Sequence, residues 1–322
     1  MGRQRRSSGR AGLGVLPGRG CTRITPPRIL CPSKVGALWW SVHPDERNFP
    51  VRLSLTRIIG AAVLSVALPL AATACGGDGP TAGGKIVIGT KFDQPGLGMK
   101  NPDGSMSGFD TDVARYVAKE LGYPEDKIEW KESPSAQREN LIDNDQVKFI
   151  VATYSITDAR KQKVDFAGPY LLTGQSLLVK SDNSDIVGPE SLQDNKKLCS
   201  VSGSTPAQRI KDKYPGVQLQ QYDTYSACVE ALRNGAIDAV TTDEVILAGY
   251  AAQSPGEFKI VGKPFSEERY GIGLKKDDAE LRAKINDALA KMEADGAWAA
   301  AFDKNLGPAG LTAPTPPPID RY

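Results

Sequence analysis

The chain has 322 residues, with 40 basic and 38 acidic side chains, 40% apolar content, five cysteines and one histidine. Charge is unevenly divided: residues 1–75 carry 11 Lys/Arg against 2 Asp/Glu, and the remainder carries 29 against 36, a net charge of −7. An acidic body lacks the phosphate-neutralising surface of a nucleic-acid binder. With His43 as the only histidine, placed in the basic front, that body cannot build a Ser-His-Asp triad, a Cys-His dyad, an H-E-x-x-H zinc site or a histidine-ligated haem.

Residues 1–50 are rich in Arg, Gly and Pro, show no periodicity, and precede a complete export signal. Val51 stands where an initiator would, so 1–50 read as an over-extended reading frame or a disordered extension, and Cys21 and Cys31 go with it. Arg52 and Arg57 lead into residues 58–70, an apolar run broken only by Gly60, Ser65 and Pro69, and then into Ala72-Thr73-Ala74-Cys75-Gly76-Gly77. A run of about 13 residues is too short for the roughly 20-residue hydrocarbon span and suits a signal h-region. Residues 51–74 therefore read as a lipoprotein signal peptide, with Cys75 as the lipidated first mature residue, although Ala72 stands where a lipobox usually has leucine. A secreted soluble form or an uncleaved anchor are the alternatives. Residues 75–84 then form a flexible tether that holds a soluble domain at the outer membrane face.

Beyond the tether, short apolar runs alternate with helix-period segments, the pattern of βαβ units. In a first set, 85–90 reads as a strand and 110–121 as a helix with Val113, Tyr116, Val117 and Leu121 on one face, stopped by Gly122. Strand 128–130, helix 135–144 and strand 148–153 follow. In a second set, strands at 198–201, 217–222 and 237–242 alternate with helices at 205–214, 225–233 and 244–253, ending in strand 258–261. Two extended crossings, 166–180 and 269–274, separate the sets and imply a hinge. A helix at 279–293 packs back on the first set, and 309–322, with Pro314, Pro316, Pro317 and Pro318, reads as a disordered tail. The domain plan is lobe 1 from 85–172 and 270–308, and lobe 2 from 173–269 with hinge crossings at both its ends. Inserting one α/β lobe in another opens a cleft at the carboxyl ends of the strands, where such sheets bind ligands.

Cys199 and Cys228 remain as an even pair outside the reducing cytosol, where a disulfide is the natural reading and two buried free thiols the alternative. Closing a loop of about 30 residues would stabilise by roughly 3 to 4 kcal/mol. Asp103-Gly104 with Asn101, Pro102 and Ser105 is a turn without the spaced acids of a calcium loop. Gly271-Ile272-Gly273 lacks the third glycine and following helix of a phosphate loop. Neither a metal site nor a cofactor is expected.

The segments Ile88-Gly89-Thr90-Lys91-Phe92-Asp93-Gln94-Pro95, Gly108-Phe109-Asp110, Ser155-Ile156-Thr157-Asp158-Ala159-Arg160, Val164-Asp165-Phe166, Gly203-Ser204-Thr205 and Thr242-Asp243 resemble the bacterial solute-binding protein family 3, the polar-amino-acid binders of ABC importers. The likeness covers about 85–307. Glu132-Ser133-Pro134-Ser135-Ala136-Gln137-Arg138 and the run from Cys199 to Gln208 are most similar to the glutamate-binding lipoproteins of actinobacterial uptake systems. The resemblance implies a periplasmic-binding-protein-like α/β fold of type II: two lobes with mixed, mainly parallel sheets, joined by a two-strand hinge. It also implies a monomeric, non-enzymatic protein that delivers L-glutamate, or else aspartate or glutamine, to the transmembrane subunits of a permease on the outer face of a Gram-positive membrane.

The residues can be weighed against that chemistry. A free amino acid brings an α-carboxylate and an α-ammonium, and each must find a counter-charge on leaving water. Arg160 follows a loop at a cleft-facing strand end, and its planar fork suits a carboxylate. Family members use this arginine for the α-carboxylate, helped by the positions of Thr153 and Ser155, and use the aspartate at Asp243 for the ammonium. Thr205, with Ser204 beside it, can offer a hydroxyl and a helix N-terminal N–H to the same carboxylate. Taken singly, Arg160 fits a solvated helix start, and Asp243 and Thr205 fit helix N-caps; their placement in two lobes, in the family's order, favours the binding role. For a second ligand carboxylate the candidates are Lys91 and Arg138, with Ser135 one turn before Arg138. Phe92 reads equally as core or as ligand contact. A dehydratase of prephenate-like (cyclohexadienyl) acids on the same fold and an amino-acid sensor ectodomain are the alternatives, the second disfavoured because the chain stops at Tyr322.

Overall fold

The computed structural model describes residues 84–322, Asp194 excepted. The expectations for the upstream extension, the signal peptide, Cys75 and most of the tether lie outside the described residues.

The chain opens with strand β1 (Ile86–Thr90), whose Ile86 and Ile88 are buried. A small antiparallel excursion follows, β2 (Asp93–Gln94), β3 (Gly98–Lys100) and β4 (Met106–Ser107). Helix α1 (Phe109–Glu120) starts after Gly108, whose φ is 121° and where an added Cβ would lie 2.1 Å from the Leu97 carbonyl oxygen, so that only glycine fits. Val113, Ala114 and Val117 turn to the core, while Asp110 and Asp112 occupy the first turn and oppose the helix dipole. Then come β5 (Ile128–Glu132), α2 (Arg138–Asp143), β6 (Phe149–Ile150), the single turn α3 (Asp158–Lys161) and β7 (Val164–Thr173).

The second set runs β8 (Gln175–Lys180), β9 (Lys197–Val201), α4 (Thr205–Lys213), β10 (Gln218–Tyr222), α5 (Tyr225–Arg233), β11 (Ala239–Asp243), α6 (Glu244–Gln253) and β12 (Phe258–Val261). Strand β13 (Glu268–Lys275) returns to the first sheet, followed by α7 (Ala279–Ala294) and α8 (Ala297–Leu306).

The strands form two five-stranded sheets of order β5-β1-β6-β13-β7 and β10-β9-β11-β8-β12. In the first, β13 is antiparallel to both neighbours; in the second, β8 is, so four of the five strands in each run one way. This is the expected two-lobed, mixed and mainly parallel α/β architecture. A ribbon of β7 and β13, paired from Glu268↔Thr173 to Lys275↔Val164, leads from one sheet toward the other. At its end an added Cβ on Gly174 would lie 2.4 Å from the Ser266 carbonyl oxygen. The described residues belong to one compact unit. Phe109, Tyr170, Trp298 and Phe302 form an aromatic cluster with ring centroids 5.5 to 6.1 Å apart, binding α1 and α8 to the first sheet. Cys199 and Cys228 form a disulfide that joins β9 to α5.

Three local departures from the sequence expectations matter for the site. Helix α2 begins at Arg138 rather than Ser135, because Pro134 opens a turn in which Gln137 N donates to the Pro134 carbonyl at 2.9 Å. Strand β6 keeps only Phe149 and Ile150, because Thr153 adopts φ 46° and turns the chain out of the sheet. Residues 309–322, expected to be disordered, lie along the first lobe instead. Pro317 is buried, Asp320 N donates to the Gly168 carbonyl at 2.8 Å, and Arg269 pairs with Asp320 at 2.7 Å. Prolines restrict the unfolded tail, so a few anchors suffice to hold it.

Candidate functional site

Arg160 and Asp243 meet at one cavity. It is narrow, and Ser135, Arg138, Thr153 and Arg160 from the first lobe and Ser204, Thr205 and Asp243 from the second all line it. Arg138, Ser204, Thr205 and Asp243 stand at helix starts or a strand end, Arg160 within the one-turn α3, and Ser135 and Thr153 in the turn before α2 and the loop after β6. The lobes are closed over this space. Arg160 Nη2 donates to the Gly203 carbonyl at 3.1 Å, and the Thr205 hydroxyl lies 3.2 Å from Ser155 Oγ and 2.9 Å from Glu268 Oε2. Gly203, with φ 73°, permits this approach, since a Cβ there would sit 2.7 Å from Ala136 Cα.

On the first-lobe wall, the Thr157 hydroxyl caps α3 by accepting from Arg160 N at 3.2 Å, and Arg160 Nη1 donates to the Ser155 carbonyl at 2.8 Å. Glu139 stands 3.5 Å from Arg160 Nε. A guanidinium has five N–H donors, so the two terminal nitrogens keep donors for a carboxylate in the cavity. Arg138 is buried more fully, at 2% exposure, yet among the described residues its guanidinium makes one hydrogen bond, from Nε to the Ser133 carbonyl at 3.2 Å. Burial, and secondarily the neighbouring Arg160 charge, hold its pKa below the ordinary arginine value. Both guanidiniums pack over the ring of Tyr154, with Cζ 5.0 Å from the centroid for Arg138 and 4.8 Å for Arg160.

Thr153 is a β-branched residue in the left-handed region, a costly backbone state that persists only where surroundings enforce it. The enforcing group is Asp110, whose Oδ2 accepts Thr153 N at 2.7 Å while its Oδ1 accepts the Tyr170 hydroxyl at 2.8 Å. Burial pushes the Asp110 carboxyl up to about 6 against those two stabilising bonds.

On the second-lobe wall, Ser204 is the N-cap of α4 and accepts Ala207 N at 3.1 Å, which leaves Thr205 free to reach across the cleft. Asp243 stands at the N-cap of α6 but makes no capping bond there. Its Oδ2 accepts the Tyr270 hydroxyl at 2.5 Å, and its Oδ1, buried, has no hydrogen-bond partner among the described residues. Burial, and then the nearby Glu268 charge, push its carboxyl up to about 7. A buried carboxylate with one unmatched oxygen is a receptor for a cation.

Lys91 is placed differently. It is fully buried, but its Nζ lies 3.0 Å from Asp93 Oδ1, and it is not on the cavity wall. Asp93 in turn reaches the second lobe, where its Oδ2 accepts Ser226 N at 3.2 Å in the first turn of α5 and its carbonyl accepts the Tyr250 hydroxyl at 2.5 Å. The lysine's charge is thus taken by an aspartate two residues on, within an interlobe contact. Phe92 is half-buried beneath Lys100, whose Nζ is 5.3 Å from its ring centroid.

Tyr154, Asp110, Glu268, Tyr225 and Ile246 were not among the sequence candidates. Tyr225 and Ile246 line the cavity. Asp110 carried a legible signal, an acid opening an apolar helix, but dipole compensation explains that signal equally well.

The family model described as bacterial extracellular solute-binding proteins, family 3, matches residues 86–308. The glutamate-binding protein GluB of Corynebacterium efficiens is 53% identical over 268 residues, covering 78% of this chain and 91% of that protein. The ABC transporter glutamine-binding protein GlnH of Bacillus subtilis is 40% identical, covering 68% of this chain and 80% of that one. Among solved structures, an ancestral arginine-binding protein bound to glutamine superposes with a TM-score of 0.65 at 36% identity, covering 70% of this chain and 98% of the other.

Proposed function

The chain belongs to the bacterial extracellular solute-binding proteins, family 3, and on that premise we propose that it closes over L-glutamate between its lobes and delivers it to the permease of an ABC importer. In this reading Arg160, with Thr205, Ser204, Thr153 and Ser155, receives the α-carboxylate. Asp243 receives the α-ammonium, and Arg138 with Ser135 receives the γ-carboxylate. Cys75 carries the lipid that holds the protein, as a monomer, at the outer face of the membrane.

The observation that carries the choice of ligand is the charge on the cavity wall. Arg160 has Glu139 at 3.5 Å on its outer side and Asp243 across the cavity, whereas Arg138 lines the cavity with no carboxylate in ion-pair distance among the described residues, and the second carboxylate of glutamate supplies one. Glutamine would leave the Arg138 guanidinium buried without a counter-charge, which is costly. The GluB relative, named for glutamate, supports the same reading. Closure follows from ligand contacts that exist only when both lobes reach the ligand, so differential affinity for the closed state drives the hinge. No covalent step is involved. A dehydratase reading has less support, because the wall pairs each charge of an amino acid and the curated relatives described above are named as binding proteins.

Calorimetric titration of the purified protein with the common amino acids tests this. Glutamate should bind most tightly, with glutamine and aspartate weaker. Tighter binding of a basic or an apolar amino acid would reject the assignment.

A further inference from the structure

We propose that Tyr154 is a specificity-determining positioning residue, its ring holding both the Arg138 and the Arg160 guanidinium so that the cavity presents two cations to a dicarboxylate. This deepens the glutamate reading and rests on it. Two like charges buried together repel; Glu139 already stands 3.5 Å from Arg160 Nε, whereas Arg138 has no carboxylate within ion-pair distance among the described residues and would otherwise swing toward water. A ring face carries the negative end of the aromatic quadrupole and attracts both, more strongly where water is excluded. The guanidinium carbons stand 5.0 and 4.8 Å from the centroid, within range of that attraction.

The ring's place is built. Phe166 meets Tyr154 edge-on at 4.8 Å and 66°, and Tyr154 is fully buried. On the neighbouring strand β13, a Cβ on Gly273 would sit 2.5 Å from Tyr154 Cε1, so this glycine of the Gly271-Ile272-Gly273 run makes room for the ring. The phenol oxygen makes no close hydrogen bond among the described residues, although burial and Glu139 beside it hold its pKa above the ordinary tyrosine value; the task is assigned to the ring face, and Tyr154→Phe separates it from the hydroxyl. Tyr154 is absent from the cavity wall and acts only through the arginines.

The test compares glutamate and glutamine titrations of the full protein with those of Tyr154→Phe and Tyr154→Leu. Tyr154→Phe should match the parent for both ligands. Tyr154→Leu should weaken glutamate about 10- to 50-fold and lower the glutamate-over-glutamine preference by at least about threefold. Should the leucine variant fail to fold, phenylalanines of rising ring fluorination at 154 keep the shape while draining the quadrupole, and the preference should fall stepwise along the series. An unchanged preference in the leucine variant or along the fluorinated series, or a loss in Tyr154→Phe as large as in Tyr154→Leu, overturns the proposal. Failure of the parent protein to bind glutamate overturns the underlying assignment instead.

Discussion

The wall that the first lobe gives the cavity is made of two guanidiniums stacked over one aromatic ring, whereas the wall from the second lobe holds a single carboxylate backed by the Tyr270 hydroxyl. The positive wall sits on short, irregular elements, the turn before α2 and the loop after β6, where strained Thr153 is enforced by Asp110. The negative wall sits at the joint of β11 and α6, the last residue of a strand within a sheet. If, as proposed, the first wall takes the carboxylates and the second the ammonium, anion recognition, which must distinguish one carboxylate from two, is placed where loops can position several donors. Ammonium recognition, common to every amino acid, needs one fixed acceptor. Neither wall can satisfy a zwitterion alone, so binding and closure become one event.

The comparison breaks most visibly at Arg160. Arg160→Ala leaves an α-carboxylate in the cavity without its main partner, and affinity for every amino acid should fall by about 1000-fold, the scale for removing one member of a buried pair. Titration calorimetry reads this directly; a loss confined to glutamate would contradict the role.

Asp243→Asn should weaken all amino acids by roughly 10- to 100-fold. The same variant has a pH signature. When the lobes close without an ammonium the Asp243 carboxyl is pushed up to about 7, mainly by burial, so below neutrality closure protonates it and an ammonium must compete with that proton. Parent affinity should therefore rise from about pH 5 to pH 7 and level off above, with a proton released on binding. Titrations in buffers of different ionisation enthalpy measure that proton, and Asp243→Asn should abolish its release.

Arg138→Ala sharpens the contrast within the positive wall. It should cost glutamate about 10- to 100-fold and glutamine only about two- to threefold, and equal losses for the two ligands would reject its role with the γ-carboxylate. The smallest effect is expected at Asp93→Asn. Its contacts with Lys91, Ser226 and Tyr250 lie off the cavity, so affinities should drop about three- to tenfold, to the same extent for glutamate and glutamine. A selective loss would put the Lys91–Asp93 pair back among the ligand contacts.

The βαβ rhythm was legible because apolar runs and helix faces are properties of neighbouring residues. The two-stranded and one-turn pieces β2, β4, β6 and α3 were not, since two to four residues carry no period to detect. The placement of Arg160 and Asp243 at the cavity was legible, because the loop after one strand and the end of another had to face the cleft. Lys91 was misplaced for a reason local sequence does not reveal: Asp93 on the same excursion takes its charge and carries it to α5 across the cleft. Tyr154 and Glu268 were invisible for a related reason. Their functions are defined by residues from other elements, Arg138 and Arg160 in the first case and Arg209 and Thr205 in the second. The tail 309–322 misled because proline-rich composition marks both disorder and a rigid strap, and only its contacts with Gly168 and Arg269 separate the two.

A crystal structure of the protein grown with L-glutamate tests the division of walls most directly. The α-carboxylate should lie on Arg160, the ammonium on the free oxygen of Asp243 and the γ-carboxylate on Arg138. A ligand lying in the reverse sense, with its ammonium against the arginine wall or its side chain directed at Asp243, would contradict that division.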